Sequence, residues 1–274
     1  MERSYPAVVQ KAWAAVVGGA VGDASAARCH WQYDPAKLAE IVGEKDVAFY
    51  DGEKKCNPFY TVPLGGSTCY GEQLVVVAAS LAETSPVVDA EDVARKLRER
   101  FTQDDYKKAI PLKKAYNYGN DQVARSEPIE GPWIHGSIEA FLKGEIDEHD
   151  SSADCLLRTI PVAALAAVAG WDDDQLKKAV DAVVTVTQKS SLARSHSLAV
   201  ARALVAVILG DDPRAGIESV VAQAAEDDDN STAATVASAL TAAAAHENYS
   251  ASIEVLRSGL GLDAAHVAAS KLIN

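Results

Sequence analysis

Apolar residues recur every three or four positions through most long segments of the chain: Leu74 to Leu81, Val93 to Phe101, Leu156 to Val168, Leu176 to Val186, Leu198 to Leu209, Ile217 to Ala225, Ala233 to Ala245 and Ala264 to Leu272. That spacing gathers the apolar side chains on one face of a 3.6-residue repeat, so each segment is expected to be a helix. The starts agree. Asp89, Asp34-Pro35, Asp172 and Asp212-Pro213 stand just before such runs, where a short carboxylate can accept from free backbone N–H groups and a proline fits the first turn. Gly170 and Gly210 follow runs as stops. No set of alternating strands competes, and the expected fold is all-α: a single compact multi-helix domain over residues 1–274.

Two stretches break the periodicity. Val47 to Gly71 carries two prolines and four glycines, and Tyr116 to Gly136 gathers Tyr116, Tyr118, Trp133 and His135. Connections beyond about 12–15 residues are uncommon in compact domains and often functional. Their aromatics and glycines either line a cleft or form lids that close the core, and the sequence leaves both readings open.

Composition narrows the partners. A net charge of −13 over 274 residues argues against a nucleic-acid backbone, which needs clustered Lys and Arg. Aromatic content is 6%, with Ala and Val carrying much of the apolar weight, as suits closely packed helices. Cys29, Cys56, Cys69 and Cys155 form neither a C-x-x-C pair nor a dense disulfide framework, so reduced thiols are expected. Neither a signal peptide nor a membrane span is read in the first residues, and no other apolar run is long enough without charge; a soluble, cytoplasmic protein is expected.

Several side chains are candidates for chemistry. His30 and His135 can titrate near neutral pH and serve as acid or base, or can simply pack and hydrogen-bond. Cys69 precedes an expected helix, whose N-terminus would lower its pKa and favour a thiolate, opening a redox role as one alternative. Glu72 at the same entrance is either a catalytic or metal-facing carboxylate or a partner of the helix dipole.

Gly18-Gly19-Ala20-Val21-Gly22-Asp23-Ala24 resembles the early Gly-Asp element of the ADP-ribosylglycohydrolase family, and Gln73 to Ala79 resembles the helix that there follows a Thr-Asp-Asp-Thr run. Cys69-Tyr70-Gly71-Glu72 stands in place of that run. Asp228-Asp229-Asn230-Ser231 resembles the family's later Asp-Thr-Asp-Thr, with Asn230 for the second aspartate. Ala153 to Pro161 resembles the central segment, and Val186-Thr187-Gln188 has Gln188 where the family commonly has histidine. Arg158 in that segment is expected to be a buried cation paired with a carboxylate, the alternative being a substrate contact. Cys29 to Pro35, Phe49 to Gly52, Asn57 to Tyr60 and Gly131 to Gly136 are similar to the branch that includes J-type crystallins and selenoprotein J.

The resemblance implies Mg²⁺ held by Asp228, Asn230 and Ser231, with fewer carboxylates than such an ion favours, or else Glu226 to Asp229 simply stabilises a helix N-terminus. The candidate ligand-binding residues are Asp23, Tyr70, Tyr118, Trp133 and His135, and the candidate catalytic residues are Glu72, His30 and Cys69. The partner implied is an ADP-ribose-like small molecule or an ADP-ribosylated protein, with hydrolysis weakened or lost. The alternative is a non-enzymatic structural protein of the crystallin kind.

Overall fold

The structure is a computed structural model that describes residues 6–210 except Trp31, 33–34, 46–47, Lys55, 58–59, 107–128, 132–133, Asp147 and Ser151. It is all-α. The helices are α1 (Ala7–Ala26), α2 (Pro35–Val42), α3 (Cys69–Thr84), α4 (Ala90–Phe101), α5 (Gly136–Lys143), α6 (Leu156–Ala169), α7 (Asp173–Val184) and α8 (Ser191–Leu209), with a 3-10 turn at Ala153–Cys155 leading into α6. The expected periodic runs between Leu74 and Leu209 fall on α3, α4, α6, α7 and α8. Those at Ile217 to Ala225, Ala233 to Ala245 and Ala264 to Leu272, with Asp212-Pro213, lie outside the described residues.

The expected caps are formed where they fall on described residues. The Asp89 carboxylate accepts from the N–H groups of Glu91 and Asp92, and Asp172 forms a reciprocal capping box with Gln175. Gly170 ends α6 in the left-handed region at φ 67°, which a side chain would resist. Sequence periodicity does not show an extended contact seen among the described residues: β1 (Tyr60–Thr61) pairs in parallel with β2 (Ile129–Glu130), tying the two irregular stretches together.

The α6 helix is central, packed against α1, α3, α7 and α8. Its residues from Leu156 to Ala167 are all buried, which explains why its sequence is apolar on every side. At Gly19 three helices meet: a Cβ there would lie 2.7 Å from Leu74 Cδ1 and 2.8 Å from Ile160 Cδ1. The small-residue stretch of α1 is therefore what lets α3 and α6 approach. The α8 helix is long and apolar enough to cross a membrane, yet more than half of its apolar window is buried within the fold. Its Arg194 and Arg202 pair with Asp181 and Asp173 of α7. Those are the features of a core helix rather than a span.

Arg158 is completely buried, and its partners among the described residues are not the expected carboxylate. It donates to the Val183 carbonyl at 3.2 Å and to Gln188 Oε1 at 3.1 Å. Gln188 can present that oxygen because its amide nitrogen is anchored on the carbonyls of Asp150 and Ser152.

Candidate functional site

The entrance to α3 is built around Asp23. This residue sits in the last turns of α1 and reaches across to the N-cap of α3, where its carboxylate accepts from the Thr68 N–H at 2.7 Å and from the Thr68 hydroxyl at 2.5 Å. The Gly71 N–H is a further donor to it. Thr68 in turn accepts from the Tyr70 N–H at 3.1 Å. Gly71 has no room for a side chain, since a Cβ would lie 2.3 Å from Asp23 Oδ2 and 2.7 Å from its Cγ. Glycine at 71 and aspartate at 23 are one feature: the carboxylate closes the free end of the helix and needs bare backbone to do so.

Burial dominates the acidity of Asp23 and pushes it up to about 6, against the lowering effect of its hydrogen bonds to Thr68 and Gly71. The folded chain therefore holds this proton more tightly than the unfolded chain, and the associated stability is fully present below the ordinary carboxylate value. It is lost as pH rises through about 6. Relative to an Asp23→Asn variant, the wild type should gain about 2 kcal/mol as pH falls from 7 to 4. Urea unfolding of both proteins across that range checks it; a constant difference between them would rule out a raised Asp23.

Glu72 stands at the same entrance with its carboxylate held by Arg100, two bonds of 2.9 Å each. Arg100 also pairs with Asp105 and lies over the Tyr106 ring, with its guanidinium carbon 4.7 Å from the centroid. Cys69 opens α3 but is buried, and the thiolate expected there is not favoured. Burial and the nearby Asp154 push its thiol well above the ordinary range, outweighing a hydrogen bond from the His135 backbone. Loss of solvent exceeds the helix-end effect.

Across from Asp23 stands a ring cluster. The Tyr70 side chain contacts both His30, with centroids 5.3 Å apart and nearly perpendicular planes, and His135, at 5.7 Å. His30 Nδ1 is hydrogen-bonded to the Tyr60 hydroxyl at 2.9 Å. Burial, with His135 nearby, pushes His30 down to about 4, so at neutral pH it is an uncharged imidazole. His135 caps α5: its Nδ1 accepts from the Ser137 N–H at 3.2 Å, which leaves the proton of the neutral ring on Nε2. The Ser137 hydroxyl donates to the buried Asp154, whose Oδ2 lies 3.6 Å from His135 Nδ1.

Asp23, His30, Cys69, Tyr70 and His135 are brought to one entrance, with Glu72 beside them on Arg100. Tyr118, Trp133, Asp228, Asn230 and Ser231 lie outside the described residues. Sequence reasoning missed Tyr60 and Ser137 as site residues, and used Asp154 only as a landmark. The one signal for Asp154 was its place directly before α6.

A sequence profile of the ADP-ribosylglycohydrolase family matches residues 4–273. The chain belongs to the ADP-ribosylglycohydrolase family. It is 28% identical to crystallin J1B of Tripedalia cystophora over 186 residues, covering 66% of this chain and 52% of that protein. It is 27% identical to crystallin J1A of the same organism over 212 residues, covering 75% of this chain and 61% of that protein. The chain thus spans about half to three-fifths of the length of these curated relatives.

The family resemblance raised Mg²⁺, and the donors at the α3 entrance can be set against what that ion requires. A hard divalent ion takes several oxygen ligands in a near-octahedral shell. Asp23 already accepts three hydrogen bonds from Thr68 and Gly71, Glu72 is paired with Arg100, and Tyr70 and Gly71 bring no carboxylate. Among the described residues no cluster of three His, Cys, Asp or Glu side chains could hold a metal. The described part of the entrance does not fit the ion.

Proposed function

We propose that this family member uses the α3 entrance to recognise an ADP-ribose-type ligand, free or attached to protein, and that hydrolysis is weakened or lost. The observation that carries this reading is the replacement chemistry at the entrance: Asp23 committed to the Thr68 and Gly71 donors, with the Tyr70 ring set between two imidazoles. Aromatic faces suit the planar base of a nucleotide, and the His135 Nε2–H is a donor for a ribose or carbonyl oxygen. Any Mg²⁺ contribution would rest on Asp228, Asn230 and Ser231, and no step of this reading depends on it.

The test is direct. ADP-ribose should raise the melting temperature of the full chain, and Tyr70→Ala or His135→Ala should weaken binding about tenfold, the value of one good ring contact or hydrogen-bond donor. Release of ADP-ribose from modified protein should be slow and unchanged by added Mg²⁺. No stabilisation by ADP-ribose and no release would overturn the reading.

Similarity to two crystallins, together with a net charge of −13, favours a second reading: a structural protein kept soluble at high concentration. In that case Tyr70→Ala and His135→Ala would leave every measurable property except stability unchanged.

A further inference from the structure

We infer that Cys29 and Cys56 form a reversible disulfide that staples the loop bearing Tyr60 to the turn after α1 that bears His30. The backbone sets this up. The Asn57 N–H donates to the Arg28 carbonyl at 2.8 Å, and the Asn57 side-chain amide donates to the Ala27 carbonyl at 3.3 Å. Asn57 is thereby tied to the turn at residues 27–28, which brings the neighbouring Cys56 and Cys29 into one place. Both cysteines belong to a small apolar cluster with Val42 and Tyr50, separate from the main core. Their thiols lie within hydrogen-bonding reach of each other, and both are unbridged. Thiols already in hydrogen-bonding reach need only a small approach of the two side chains to form the S–S bond.

The other cysteines are placed differently. Cys69 and Cys155 are in the main core, and Cys155 Sγ lies 3.3 Å from the Ser197 hydroxyl.

The chemistry balances with a disulfide oxidant such as glutathione disulfide. One protein thiol, as thiolate, attacks the oxidant and releases one glutathione, forming a mixed disulfide; the second protein thiol displaces the other glutathione. The pair loses two hydrogens and the oxidant gains two. Burial and the adjoining thiol push Cys29 up to about 12, so the exchange is slow and proceeds through local opening of the loop. The site shares the staple's root: His30 follows Cys29, the Tyr60 N–H donates to Asn57 Oδ1 at 3.2 Å, and the His30–Tyr60 hydrogen bond closes the same loop. None of this depends on which ligand the entrance takes.

The experiment uses the full folded chain incubated for hours in glutathione buffers of increasing oxidised fraction, followed by blocking of remaining thiols, intact mass and peptide mapping. The expected product is about 2 Da lighter, with peptides of Cys29 and Cys56 joined, a melting temperature raised by several degrees, and full reversal by excess thiol. Cys29→Ser and Cys56→Ser should each abolish that species. Retention of both thiols at the most oxidising ratio would overturn the inference. So would glutathione adducts without the internal bridge, or bridging to Cys69 or Cys155. The wild-type map alone decides this, even if a serine variant folds poorly.

Discussion

Gly71→Ala should destabilise the chain by about 3 kcal/mol, lowering its melting temperature by roughly 6–12 °C, although the residue sits in a helix where alanine is ordinarily the better former. The added methyl would lie 2.3 Å from Asp23 Oδ2 and 3.2 Å from its Cβ. Moving the aspartate away would strip acceptors from the Thr68 N–H, the Thr68 hydroxyl and the Gly71 N–H together. Leaving such donors unmade costs about 1–3 kcal/mol each. The contact also makes a sharper forecast. Asp23→Ala alone should cost about 2–4 kcal/mol, because the helix end loses its cap. In that background Gly71→Ala should cost under about 1 kcal/mol, since the obstructing carboxylate is gone. Urea unfolding of the four proteins gives the coupling, and strict additivity would sink the account. Gly71→Asp, which would bring back one acidic residue of the family's run, should be worse than Gly71→Ala, because a larger group meets the same buried oxygen. The position of Asp23 therefore leaves no room for a carboxylate side chain at 71.

That coupling marks where sequence reasoning stopped. Helix identity was legible because the core face of each helix imposes its period on the chain, and Asp89 and Asp172 cap where their position implied. The Gly-Asp pair on α1 was visible as a landmark, and so was the missing run before Gln73. What spacing could not express was that Asp23, 45 residues before Thr68, supplies the acceptor for that helix entrance. Cys69 illustrates a different limit. Position at a helix start argues for a low thiol pKa, but burial decides the outcome, and burial depends on what α5 and Asp154 place over the sulfur. Glu72 was legible as a carboxylate at the entrance; that Arg100 of α4 holds it with two bonds was not, because a pair between separate helices leaves no periodic trace.

Arg158→Ala should cost about 4 kcal/mol, whereas Arg158→Met should cost about half of that or less. The guanidinium is completely buried in α6, and among the described residues no carboxylate forms an ion pair with it. Burying a cation carries a desolvation cost even where polar groups meet it, so removing the charge returns part of what those contacts contribute. Alanine also leaves a cavity and strands the Val183 carbonyl and Gln188 Oε1 without donors. Methionine fills most of that volume and leaves only the stranded acceptors. Denaturant unfolding, with circular dichroism to confirm retained helix, separates the cases, and equal costs for the two variants would contradict this partition. The effect should extend to the entrance. Gln188 donates to the Ser152 hydroxyl at 3.1 Å, Ser152 donates to Asp154 at 3.1 Å, and Asp154 accepts from Ser137 beneath His135. Releasing Gln188 therefore loosens the support of His135. In either variant the His135 ring resonances should broaden or shift in NMR while those of His196, buried on α8, change less.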